Sequence, residues 1–247
     1  MGNSTLLNTG PVSWLLLAAL LAVAAAVSRV ALNGRVRDVL LAGVRALVQL
    51  GVVALVIAQL TGHPGVGLLF VALMFLVASY TSGRRVDAAR WWLAGLPVAA
   101  GALPVGLAMF ATGVLPWNAL ALIAVLGQQI GGAMTATTLS GRRTLAELAV
   151  RRGEVEAAVA LGFQWREART LVARDVAGES LVPLLDQTRT VGTVTLPGAF
   201  VGLILGGASP LDAGLIQLLV LISLLAVYAI AAAVAQRLCT AGAWRSR

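Results

Sequence analysis

The sequence predicts an all-α integral membrane protein, with about seven transmembrane helices and a short helix–turn–helix segment on the cytoplasmic side. Three observations predict it. Of 247 residues, 59% are hydrophobic and 11% charged, against about 25% charged in a soluble domain. The apolar residues form long unbroken runs, and about 20 in succession span a bilayer. The arginines collect in alternate loops, as cytoplasmic loops do. Continuous runs, rather than alternating ones, argue against a barrel.

The first span runs from Val12 to Leu32 and the second from Val39 to Leu60. The third, Val66 to Tyr80, is short and is expected to extend into its flanks. The fourth, Trp91 to Thr112, carries Pro97 and Pro104 as expected kinks. The fifth is Trp117 to Leu139. The sixth lies within Val182 to Leu205 and is interrupted at Pro197-Gly198. Leu211 to Leu238 is the last. Trp14, Trp91, Trp92, Trp117 and Trp244 fall near span ends, where indoles favour the headgroup region.

Arg29, Arg35 and Arg37 follow the first span, and Arg84, Arg85 and Arg90 the third. Arg142, Arg143, Arg151, Arg152, Arg166, Arg169 and Arg174 follow the fifth. Arg237, Arg245 and Arg247 follow the last. The intervening loops TGHPG, GVLPW and GGASPLD carry none. The expected topology has the N-terminus outside and the C-terminus in the cytoplasm, in the cell inner (plasma) membrane. The net charge of +8 then reflects topology and anionic lipid rather than nucleic acid.

Several classes are excluded. The first span has no basic residue before it and is too long for a cleavable signal peptide. The opening residues fail the myristoylation pattern at Leu6, and Asn3-Ser4-Thr5 reads as a chance sequon. One cysteine, Cys239, and one histidine, His63, supply no zinc-ligand spacing, so any metal ligands are unassigned. Every basic side chain is arginine, so there is no P-loop lysine and no Schiff-base lysine. No enzyme signature is present. If ATP drives this protein, ATP and Mg²⁺ bind a partner chain, and this chain itself is expected to bind no cofactor.

The longest polar stretch runs from Ser140 to about Leu181. The fifth span is expected to continue as helix to Arg152, where Gly153 breaks it. Glu154 and Glu156 then fall in the first turn of a new helix, where negative charge suits the dipole. Val155, Ala158 and Val159 form a small apolar face, and Gly162 ends the helix by letting two short helices approach. Gln164 to Asp175 reads as a second amphipathic helix, with Trp165, Ala168, Leu171 and Val172 at helical spacing. Such a segment either lies on lipid headgroups or docks a soluble partner. Glu147, Glu154, Glu156 and Glu167 would be repelled by anionic lipid, and the small face at Ala157, Ala158 and Gly162 suits a partner's cleft.

Glu156-Ala157-Ala158, followed by Gly162, resembles the EAA–G loop of ABC-transporter permeases. GQQIGGAMTATTLSGRR (Gly127 to Arg143), RRGEVEAAVALG (Arg151 to Gly162) and TLPGAFVGLILGGASPLDA (Thr195 to Ala213) resemble, in order and spacing, the FetB/YbbM-type permease family. That family includes plant aluminium-tolerance permeases. GVRALVQL (Gly43 to Leu50) is similar to its second span. The chain differs from that pattern at Gly132, where Asn is frequent, and at Ala199-Phe200, where Met is frequent. The resemblance implies one transmembrane permease domain over residues 1–247, with a coupling segment at about 140–181. It implies a homodimer, a separate ATPase subunit docking on Glu154, Glu156, Ala157, Ala158 and Gly162, and iron export.

Polar residues inside spans are costly and mark pathways by default. Gln128, Gln129, Met134, Asp186 and Arg189 are the candidates for a substrate path. Asp186 and Arg189 could instead form a helix-surface pair, Arg45 in the second span could snorkel, and Thr135, Thr137 and Thr138 could bond their own helix backbone. Asp38 and Gln49 complete the second-span set. Pro197 breaks the sixth span beside Gly198, Gly202 and Gly206, a small-residue stripe that serves intrachain packing, a dimer seam or a gate. The alternatives to an ABC permease are a stand-alone carrier or channel and a non-transporting scaffold. No inverted repeat supports the carrier, and a scaffold would not need polar residues inside a span.

Overall fold

The computed structural model describes residues 10–59 and 64–244. His63, the Asn3-Ser4-Thr5 sequon, Arg245 and Arg247 lie outside the described residues. The chain divides between His63 and Pro64 into two compact units.

The first unit is a helical hairpin of α1 (Pro11–Ala31) and α2 (Val36–Gln59). Pro11 opens α1 at a position whose missing N–H costs nothing. The turn is tight. Asn33 takes a φ of 52°, which Asn tolerates, and the Gly34 N–H donates to Ser28 O at 2.8 Å. Gly43 lets the helices close on Leu21, since a Cβ there would stand 2.8 Å from its side chain.

The second unit contains α3 (Pro64–Val86), a 3₁₀ turn (Ala88–Ala94), α4 (Gly95–Ala111), α5 (Ala119–Val150), α6 (Arg152–Ala160), α7 (Trp165–Val172), α8 (Val182–Thr190), α9 (Gly198–Leu205) and α10 (Pro210–Thr240). Its core is α3, α4, α5 and α10. α5 packs on the other three, and α4 packs on α10. Side-chain caps start α5 and α10: Asn118 accepts from the Ala121 N–H at 2.8 Å, and Ser209 from the Asp212 N–H at 3.1 Å.

Lipid gives no hydrophobic drive for helices to associate, so small residues and close contact must supply it. A Cβ at Gly101 would stand 2.9 Å from Val227 O, and one at Gly132 2.8 Å from Leu224. Gly141 sits equally close to Val86. Ser140 Oγ donates to Ala232 O at 3.0 Å, across the α5–α10 seam.

Six helical stretches are long and apolar enough to cross a membrane among the described residues, including residues 88–111 as one. The third extends to Val86, as its short apolar run suggested. α5 alone is 32 residues, about 48 Å at 1.5 Å per residue, so it exceeds a hydrocarbon core of about 30 Å. The remaining expected span is divided. α8 and α9 have nine and eight residues, each far too short to cross alone. Between them Thr190 O accepts from the Thr193, Val194 and Thr195 amides, and Gly192 adopts a φ of 81°. In the fourth span the non-helical residue is Arg90 (φ −121°, ψ 42°), while Pro97 falls in the first turn of α4.

Trp14, Trp92 and Trp117 are exposed, as headgroup-seeking residues would be. Trp244 is not: it is 1% exposed. It packs with Ala94, Leu145, Ala235 and Cys239, and its Nε1–H donates to Arg90 O at 3.3 Å. Arg90 Nη1 donates in turn to Ala243 O at 2.6 Å. The last described residue is a core side chain, not a belt residue.

Candidate functional site

The polar segment after α5 is a helical hairpin, built around a corner at Arg151. The expected break at Gly153 is displaced by two residues. Arg151 is non-helical (φ −98°, ψ 31°), and Gly153 lies within the first turn of α6. The corner forms because Arg151 reaches three elements at once. Nη1 contacts Glu147 Oε1 on α5 at 3.3 Å and donates to Val172 O at the end of α7 at 3.2 Å. Nε donates to Glu154 Oε1 on α6 at 2.7 Å, and Nη2 pairs with Glu154 Oε2. The two carboxylates raise the Arg151 pKa above its ordinary range, and Arg151 holds Glu154 below its ordinary 4.5. A lowered carboxylate keeps this tie intact at neutral pH and loses it only as pH falls through the lowered value.

Glu154 stands in the first turn of α6, but Glu156 does not. Glu156 lies in the second turn and pairs with Arg152, Nε to Oε1 at 2.8 Å. Val155 and Ala158 are buried against Ala168 and Val172 of α7, with Leu148 and Val159 at the edge. The inner face of the hairpin is therefore filled by this chain itself. Ala158 belongs to that inner face, whereas Glu154, Glu156, Ala157 and Gly162 are exposed. Trp165 and Leu171 are also exposed, at 54% and 57%, so α7 buries a narrower stripe than its helical spacing suggested.

Gly162 ends α6 at a φ of 100°. No atom lies within 4 Å of where its Cβ would stand. Glycine is there for its left-handed backbone, not to let the helices approach. α7 then starts with a capping box. Glu167 accepts from the Gln164 N–H at 3.1 Å, and the Gln164 side chain caps the Glu167 amide.

A cavity of about 610 Å³ is lined by Leu145, Arg152, Glu156, Trp165, Arg169 and Trp244 among others, so the end of α5, the hairpin and the residues after α10 share it. The Arg169 guanidinium lies 5.7 Å from the Trp165 ring centroid, within cation–π range.

The intramembrane candidates separate. Gln129 is fully buried between α4, α5 and α10. Its Nε2 donates to Ser223 Oγ on α10 at 2.8 Å and to Met109 Sδ on α4 at 3.7 Å. Its Oε1 is buried without a partner, a costly state in a dry interior. Met109 also lines an apolar crevice of about 400 Å³ between α4 and α10. Gln128 is exposed, on a different side of the same helix, and Met134 is half-buried. Asp186 and Arg189 form an exposed pair at 3.8 Å on α8. Thr135 and Thr138 donate to Gly131 O and Met134 O of their own helix, whereas the buried Thr137 hydroxyl has no partner.

Pro197 immediately precedes α9, which buries no residue. No atom lies within 4 Å of a Cβ at Gly198 or Gly202, and Gly206 meets only its own helix's carbonyls. The stripe therefore does no packing among the described residues. Sequence reasoning missed Ser223, Gln217 and Arg151. Ser223 and Gln217 are lone polar residues inside α10, and each is buried; that was the available signal. Among the described residues, no three His, Cys, Asp or Glu side chains cluster closely enough to hold a metal.

The profile described as "Uncharacterised protein family (UPF0014)" matches residues 11–243. The chain is 33% identical to "UPF0014 membrane protein STAR2" of Oryza sativa subsp. japonica, over 90% of this chain and 79% of that one. It is 33% identical to "Protein ALUMINUM SENSITIVE 3" of Arabidopsis thaliana, over 72% and 66%. It is 25% identical to "Probable iron export permease protein FetB" of Escherichia coli (strain K12), over 81% and 78%. No solved structure matches.

Proposed function

Because the chain belongs to the UPF0014 family, we propose that it is the membrane-spanning permease subunit of an ABC transporter, exporting iron or another metal ion. The observation that carries this reading is the α6–α7 hairpin. It stands on a helix too long to end at the membrane face. Its inner side is filled by Val155, Ala158, Ala168 and Val172, which leaves the exposed Ala157, Gly162 and the paired carboxylates Glu154 (on Arg151) and Glu156 (on Arg152) as the surface a separate ATPase would meet. ATP and Mg²⁺ belong to that ATPase. The name of the Escherichia coli relative supports iron as cargo and export as the direction. Two copies of the chain complete the pathway, with the unpacked glycine stripe of α9 as the seam.

In this reading Gln129 and Ser223 form the polar node of the path, with Met109 separating it from the crevice between α4 and α10. The alternation of arginines supports a hairpin and a C-terminus in the cytoplasm. α8, the Thr190 turn and α9 together make the remaining crossing, with irregular backbone where it lines a cavity rather than lipid.

The test is co-purification with a P-loop ATPase encoded beside this chain. A charge-assisted hydrogen bond contributes about 1.5–3 kcal/mol, so Glu156→Ala should weaken capture by about tenfold or more. Asp186→Ala, on α8, should leave capture unchanged. Equal capture by wild type and Glu156→Ala would leave the hairpin without a docking role.

A further inference from the structure

We infer that Gln236 is the positioning residue through which the docked hairpin moves α10, and through α10 the buried Gln129–Ser223 contact. The inference rests on the permease reading above. At the end of α7 the last carbonyls have no intrahelical partner, and Ala173 is fully buried. Two side chains from other elements satisfy them. Arg151 takes Val172 O. Gln236 Nε2, one turn before the end of α10, donates to Ala173 O at 2.6 Å and leans toward Arg174 O at 3.4 Å. Arg151 belongs to the hairpin's own corner, so its bond moves with the hairpin. Gln236 belongs to a spanning helix, so its bond carries movement of the hairpin out of it.

α10 is suited to carry such movement over a distance. From Leu215 to Thr240 it contains neither Gly nor Pro, the usual sites of kinks. Ser223 lies thirteen residues earlier on the same helix, about 20 Å away at 1.5 Å per residue. There it holds the amide of Gln129. Beside it, Val220, Leu221 and Leu224 pack against Leu184 of α8. One rigid helix thus touches the end of the hairpin, the polar node and the broken crossing. A displacement of α7 reaches all three through its packing on α10, and Gln236 supplies the side-chain hydrogen bond in that contact.

The experiment uses the whole chain reconstituted in vesicles with the ATPase it is proposed to dock, with ferrous iron and Mg²⁺-ATP supplied on the face that carries the ATPase. Gln236→Glu and Gln236→Leu remove the donor, and Gln236→Lys keeps one. All three should capture the ATPase and hydrolyse ATP like the wild type. The Glu and Leu variants should move about tenfold less iron per ATP, the size expected for leaving a buried carbonyl unsatisfied, and Lys should restore most of it. An unchanged iron-to-ATP ratio in the Glu and Leu variants overturns the inference. So does a folded Lys variant that is as uncoupled as Leu. A wild-type chain that captures no ATPase overturns the permease reading itself, an outcome distinct from both.

Discussion

Gly162 shows how one residue can carry a turn without touching anything. Its φ of 100° lies where an L side chain is strained, at roughly 1–2 kcal/mol. The space around it is open, so the size of a replacement should not matter. Gly162→Ala and Gly162→Leu should lower the thermal stability of the hairpin and its capture of the ATPase equally, and Gly162→Asn less. A Leu variant far worse than Ala would point to a neighbour instead of to backbone strain. Arg151 is the converse case, a side chain whose contacts define the corner. Its neighbour Arg152 bonds only one carboxylate, Glu156, and both appear in sequence as the same letter. A glycine two residues later is the stronger local signal for a helix break, but the guanidinium's reach to Glu147, Glu154 and Val172 decides the position.

At the scale of elements, glycines on α4 and α9 have opposite meanings. A Cβ at Gly101 on α4 would stand 2.9 and 3.1 Å from Val227 O and Ala231 Cβ, so Gly101→Leu overpacks the core and should destabilise it by about 1–3 kcal/mol or more. A Cβ at Gly202 on α9 would meet nothing, so Gly202→Leu should fold and insert normally yet weaken the proposed contact between two copies. Cross-linking in membranes and thermal stability in detergent separate the two outcomes. A Gly202→Leu variant that dimerises like the wild type removes α9 from the seam.

The same elements show how far the sequence could be read. Continuous apolar runs and punctuating Pro and Gly are local signals, and the long helices, the Pro197 interruption and the helix–turn–helix follow from them. The contacts that place Trp244, Gln129 and Gln236 are long-range. Trp244 reads as a belt residue from its position near a span end. Only its burial against Ala94 and Leu145, and its bond to Arg90 O, make it a core residue. Gln128 and Gln129 are indistinguishable as letters. The register of α5 turns one outward and the other onto Ser223. The short α6 and its end at Gly162 were legible because an exposed helical hairpin needs little beyond its own sequence, whereas the corner at Arg151 and the second-turn place of Glu156 depend on contacts the letters do not show.

For the whole molecule, apolar composition and arginine alternation set a multi-pass α-helical membrane protein. The UPF0014 match over residues 11–243 places nearly all of the chain in one family. The polar hairpin is the part that lipid alone does not explain, since it exposes Glu154 and Glu156 among arginines. A stand-alone channel would not need it. The most direct measurement is iron movement across vesicles that contain the chain with and without the proposed partner ATPase. Movement is expected only when ATPase and Mg²⁺-ATP are both present, and it should fall by about tenfold at limiting ATPase when the hairpin carries Glu156→Ala. Equal movement without nucleotide or ATPase would contradict the permease reading.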